Sequence, residues 1–180
     1  MYSRLAAAAA CAVLATACST TTEDSSLHLT FGQSAHVTDE KGSAELTVDS
    51  LDTADPADFQ QLEDASKYAD KTGYYLHYTL TKVDGPQPEG IDSFYVSNGD
   101  DYLTHLTVFS PLRFTGDLNH PFDNHKFNCE PASPVDFKEA PVGQRISGCQ
   151  IFLADNGAAA PARVIWDPKN RQSEMVTWTP

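Results

Sequence analysis

The chain has 180 residues, with 25 Asp and Glu against 12 Lys and Arg and a formal charge of −13 at pH 7. That balance argues against nucleic acid, whose phosphates reward basic patches, and against electrostatic docking on anionic lipids. The length suits one domain with a real core, and the acidity favours solubility.

At the N-terminus, Arg4 is followed by an unbroken run of small or apolar residues from Leu5 to Ala17. This is the layout of a secretory signal peptide. The run falls short of the roughly 20 residues needed to span a bilayer as a helix. Ala15-Thr16-Ala17 then places small residues before Cys18, so cleavage before Cys18 is expected. Loss of Arg4 with the signal leaves 11 basic against 25 acidic residues, a formal charge of −14.

The segment Leu14-Ala15-Thr16-Ala17-Cys18 resembles the lipobox of bacterial lipoproteins. In that group the cysteine is diacylglyceryl-modified and becomes the new N-terminus. Leu14 lies one place earlier than in the ideal box, with Ala15 in its slot, and Ala15-Thr16-Ala17 also fits ordinary secretion. Two mature forms follow: an acylated Cys18 carrying palmitate-type chains, or a free N-terminal cysteine on a secreted protein. Two or three acyl chains hold a protein stably on a membrane, whereas one is marginal. With the acidic surface, membrane attachment has to come through this lipid.

Cysteine count supports the same reading. Of Cys11, Cys18, Cys129 and Cys149, the first leaves with the signal, and an odd number in an oxidising compartment calls for one free or modified thiol. Cys149 lies in the apolar run "CQIFLA" and Cys129 in the Pro-rich loop "NCEPASP", which makes them the natural disulfide and leaves Cys18 over.

Residues 1–17 are therefore read as signal peptide and 18–26 as the acylated cysteine with its tether. "STTTEDSS", 19–26, has no apolar residue and cannot contribute to a core. The domain is expected over 27–180. Predicted strands cover 27–31, 34–38, 44–51, 74–83, 93–97, 102–109, 145–154, 162–167 and 174–179, with turns such as "VDGPQPEG", "SNGDD" and "LADNGAAAP" between them. In 74–83, Tyr74, Leu76, Tyr78 and Leu80 alternate with His77, Thr79 and Thr81, which sets one face on a core and one in water. The same alternation puts Leu46 and Val48, Ile151 and Leu153, and Val164 and Trp166 inward.

Residues 55–70 differ. Phe59, Leu62 and Ala65 or Ser66 fall at helical spacing, with Asp55 as N-cap and Pro56 at the first helical position, which predicts one short helix. Short strands, one helix and no βαβ rhythm predict an all-β antiparallel sandwich. The antibody-type Cys, Trp, Cys order is absent, since Trp166 and Trp178 both follow Cys149.

The domain resembles small secreted or lipid-anchored actinobacterial proteins with a telokin-like, immunoglobulin-like β-sandwich. The resemblance is carried by "FGQSAHVTDEKGSAELTVDSLDTADPADFQQL", "GYYLHYTLTKVDG", "KFNCEPASPVDF", "GCQIFLADNG" and "RVIWDP", in that order over 30–168. It implies an extracytoplasmic lipoprotein sandwich of unknown function. Lys82 stands where the family usually carries asparagine, and either Gly143 or Gly148 can supply the glycine found just before the second cysteine's strand.

For chemistry, "DLNHPFDNH" gathers Asp117, His120, Asp123 and His125. Two imidazoles and two carboxylates can close around copper or zinc, although the five-residue step between the histidines matches no standard ligand spacing. His28, His36, His77 and His105 are scattered over strands and read as outward polar residues. Asp100 and Asp101 in "SNGDD" lack the rhythm of a Ca²⁺ loop and read as a turn. No G-x-S-x-G elbow, H-E-x-x-H, P-loop or dinucleotide fingerprint occurs, and no motif calls for a cofactor. Tyrosines outnumber tryptophans and suit interfaces; Tyr75 and Tyr95 are the two expected to be exposed. The function expected is a lipid-anchored, non-catalytic binding module with a protein partner at the cell surface. The alternatives are a Cu/Zn-binding lipoprotein using 117–125, and a secreted hydrolase whose triad assembles only in space.

Overall fold

The computed structural model describes residues 26–60, 62, 64–99, 101–107, 113–114, 122–123, 129–168 and 175–180, of which 113–114 and 122–123 are described as backbone. The strands are β1 (Leu27–Thr30), β2 (Ser34–Thr38), β3 (Ser43–Thr53), β4 (Lys71–Asp84), β5 (Phe94–Ser97), β6 (Thr104–Leu106), β7 (Arg113–Phe114), β8 (Phe122–Asp123), β9 (Arg145–Asp155), β10 (Arg163–Trp166) and β11 (Val176–Thr179). They form a four-stranded sheet in the order β1-β11-β10-β5, a five-stranded sheet β2-β3-β4-β9-β6, and the small pair β7-β8. Every pairing is antiparallel except β1 with β11. No helix among the described residues is long and apolar enough to cross a membrane.

The main core fills the space between the two large sheets. Leu46 and Val48 from β3, Leu76, Tyr78 and Leu80 from β4, and Val164 and Trp166 from β10 belong to it, as the alternation predicts. Trp178 is 0% exposed and its indole Nε1 donates to the Gln33 carbonyl at 2.9 Å. Trp166 does the same to the Gly90 carbonyl at 3.0 Å. Both indoles thus bury a large apolar area while meeting the one polar group they carry.

β9 departs from the expected facing. Phe152 and Ala154 point into the main core, while Ile151 and Leu153 lie on the other side of the sheet in a second cluster with Ala54, Phe59, Cys129 and Cys149. The strand is covered on both faces, so alternation could not tell the two sides apart.

That second cluster also explains why 55–70 is not one helix. The segment makes two single turns, α1 (Pro56–Phe59) and a 3₁₀ turn over Ala65–Tyr68. Asp55 caps α1 as expected, its Oδ1 accepting from the Ala57 amide at 2.9 Å. Phe59, Leu62 and Tyr68 all pack on the cluster, with the Phe59 and Tyr68 rings 6.2 Å apart. On a continuous helix, residues nine apart point in opposite directions, so the break lets both rings reach the sheet.

A further short helix, α2 (Pro134–Glu139), follows the first cysteine. Ser133 caps it, accepting from the Asp136 amide at 3.2 Å, and Phe137 is buried. Lys82 donates to the Lys138 carbonyl at 2.7 Å and lies 5.8 Å from the centre of the Phe137 ring. Lys82 therefore braces the C-terminal end of this helix against β4.

Cys129 and Cys149 form the expected disulfide, with Cα atoms 4.8 Å apart. Next to it the Cys149 amide donates to the Glu130 carbonyl at 2.8 Å. The bridge closes a loop of sequence separation 20, which in the chain-entropy model contributes about 3 kcal/mol. Replacing both cysteines by serine is expected to lower the unfolding free energy by about that amount in urea titration. Intact mass of the oxidised protein should rise by two hydrogens on reduction, and alkylation of both cysteines without reductant would rule out the bridge.

Candidate functional site

Cys18, Asp117, His120 and His125 lie outside the described residues, and Asp123 is present only as backbone in β8. Among the described residues no group of three His, Cys, Asp or Glu side chains is arranged to hold a metal ion. Asp101 lies in a turn, as read: its amide donates to Asn98 Oδ1 at 2.8 Å, and the Asn98 amide donates to the Asp101 carbonyl at 3.1 Å.

The scattered histidines have local partners. His28 meets Ser26 Oγ at 3.2 Å, His36 Nδ1 meets Glu45 Oε1 at 2.9 Å across β2 and β3, and His77 lies 4.0 Å from Asp52. His105 is exposed, as read, and also touches the core rim. Its register sets it opposite Phe152, with the two ring centres 5.2 Å apart at the edge of the main core. Desolvation lowers its pKa below the ordinary histidine value.

The two tyrosines expected to be exposed separate. Tyr75 turns onto the second cluster and its hydroxyl donates to Asp58 Oδ2 at 2.5 Å. Burial first, then that hydrogen bond and the Asp58 charge, raise the phenol pKa. Tyr95 is 43% exposed, and Tyr102, which was not singled out, is 64% exposed. Their rings meet edge to face with centres 6.2 Å apart.

The geometry of this pair follows from the turn. β5 ends at Ser97, the "SNGDD" turn reverses the chain, and an isolated bridge joins Ser97 to Tyr102. Gly99 adopts φ +108°, a conformation that suits glycine in a tight reversal. The seven-residue spacing across a turn was the signal that could have identified Tyr102. Inward-facing Phe94 and Val96 flank Tyr95 along β5, so Tyr95 points away from the core. Cross-strand pairing continues the row from Tyr95 to Ile165, then Thr177, then His28.

The outer face of the four-stranded sheet thus carries an exposed aromatic pair at one edge of an ordered row. Tyrosine offers a broad apolar ring with a polar tip and few rotatable bonds, so it contacts a partner at low entropic cost. Arg163, exposed and opposite Ser97, adds a cationic group beside the pair.

No protein-family model matches the chain, and no curated protein matches it. Among solved structures it is similar to MPT63, a secreted protein of Mycobacterium tuberculosis, with a TM-score of 0.54 and 14% sequence identity. The match covers 86% of this chain and 97% of that one. At this identity the likeness is one of fold. Together with the two packed sheets, it makes the domain an all-β, immunoglobulin-like sandwich, the class expected from the sequence.

Proposed function

We propose that the protein is an extracytoplasmic sandwich, tethered to the outer face of the cell membrane by lipid on Cys18, that works as a non-catalytic binding module for a protein partner at the cell surface. The observation that carries the binding role is the exposed Tyr95–Tyr102 pair on the outer face of the four-stranded sheet. Exposed aromatics of this kind are enriched where proteins meet. The extracytoplasmic setting is supported by the disulfide, which persists in oxidising compartments, and by the signal-like N-terminus. β1 begins at Leu27, directly after the 18–26 tether, so the link between lipid and domain is short.

The binding role is tested by placing a photo-crosslinking amino acid at Tyr102 in producing cells. A discrete adduct is expected there and not at Val135 or Val142, which are 63% and 70% exposed and lie outside the tyrosine face. Tyr95→Ala should abolish the adduct. Absence of an adduct at Tyr102, or the same adducts at all three positions, would overturn the assignment.

A further inference from the structure

At the side of the sandwich, the pairing of β6 with β9 among the described residues runs from Thr104–Leu153 to Leu106–Ile151. Past that point the β9 edge at Gln150 and Cys149 is met by other groups. The Cys149 amide bonds to Glu130, and Gln150 Nε2 donates to the Asp92 carbonyl at 2.7 Å. Between these contacts lies a cavity of about 310 Å³, with Asp92, His105, Leu106, Pro131, Gln150 and Ile151 in its lining and the disulfide as part of its wall. That volume falls at the lower end of the range of about 300–1,000 Å³ typical of small-molecule sites.

Its chemistry has a sign. Leu106, Pro131, Ile151 and the disulfide supply apolar wall, and Asp92 supplies a carboxylate. The lining residues include no Lys or Arg. Desolvation holds the His105 pKa below its ordinary value, which disfavours the charged imidazolium. Gln150 is 6% exposed, and its bond to the Asp92 carbonyl fixes which way the amide faces, because a flipped amide would set two oxygens together. Its Oε1 is buried without a donor. The site thus carries a carboxylate against largely apolar walls, with no cationic side chain in its lining, in a chain whose formal charge is already −13.

We infer that this cavity binds a small organic cation, a primary amine on a compact apolar body, with the ammonium group against Asp92 and the body against Leu106, Pro131 and Ile151. The site is separate from the tyrosine face. Asp92 belongs to the turn leading into β5, and Gln150 pins that turn to β9, so the carboxylate is held at the cavity by a buried amide.

The test is an NMR titration of the mature chain with benzylamine at pH 7, following the Gln150 side-chain amide and the His105 ring. Saturable shifts at both are expected. Benzyl alcohol and phenylacetate, which keep the ring and lack the positive charge, are expected to bind at least tenfold more weakly. Asp92 is exposed, so Asp92→Asn should leave the melting temperature unchanged while weakening benzylamine at least tenfold. No saturable shift, equal affinity for benzyl alcohol, or unchanged benzylamine binding in Asp92→Asn would overturn the inference.

Discussion

Trp178→Ala is expected to lower the unfolding free energy by about 3–5 kcal/mol, the range for removing a fully buried aromatic ring. Trp178 lies on β11, which pairs on both sides, with Leu29 of β1 and Val164 of β10 as its register partners. The side chain is 0% exposed, so its truncation removes a fully buried ring and leaves a cavity in the main core. The Gln33 carbonyl would also lose its indole donor at the start of β2. Since small domains are stable by only about 5–15 kcal/mol, this change alone should remove a large share of the total. Urea titration gives the value. Trp178→Phe should fall between wild type and alanine, because it keeps part of the ring and loses the hydrogen bond. A loss below about 1 kcal/mol for alanine would contradict the packing described here.

Gly148→Ala is expected to be strongly destabilising. A Cβ at that position would stand 2.3 Å from Tyr78 Cζ and 2.7 Å from the Ala132 amide nitrogen. Neither neighbour can simply swing aside. Tyr78 is 1% exposed, and its hydroxyl accepts from the Ala132 amide at 3.1 Å, a bond that ties the loop after Cys129 to β4. Overpacking of this kind costs about 1–3 kcal/mol, and breaking the buried hydrogen bond adds to it. The effect should appear as a lower melting temperature and faster disulfide reduction, because the same loop carries Cys129. Unchanged stability would mean that β9 and the loop sit farther apart. Of the two glycines read for the position just before the second cysteine's strand, Gly143 sits in the turn that precedes β9, whereas Gly148 lies within the strand, opposite Tyr78.

Elements with one solvent face were the most legible in the sequence. β2 spans Ser34–Thr38, the range expected, because Ala35 and Val37 alternate cleanly with exposed neighbours. In β4, Leu76, Tyr78 and Leu80 identified the core face, but Thr79, expected in water, is 4% exposed with its hydroxyl donating to Asp49 Oδ2, and Tyr75 packs on the second cluster. β9 was misread because Gly148 through Ala154 is buried on both sides, which removes the contrast that alternation depends on. The continuous helix expected over 55–70 failed on tertiary grounds, since the second cluster draws in both Phe59 and Tyr68. Ser133 and Pro134 form the same kind of cap signal as Asp55 and Pro56, yet the Pro-rich stretch was read as loop. For the site, Tyr95 was legible and Tyr102 was not, because their proximity depends on the reversal at Gly99 rather than on composition. The cavity depends on where β6 stops pairing, and no local pattern announces that.

The claim on which the rest depends is that Cys18 anchors the domain. Mass spectrometry of the N-terminal peptide of the native protein, taken from both membrane and medium fractions, tests it directly. The account predicts a peptide beginning at Cys18 and carrying a diacylglyceryl group, found in the membrane fraction, with a Cys18→Ala variant released to the medium. An unmodified Cys18 N-terminus in the medium, or Cys18→Ala retained on the membrane, would contradict it.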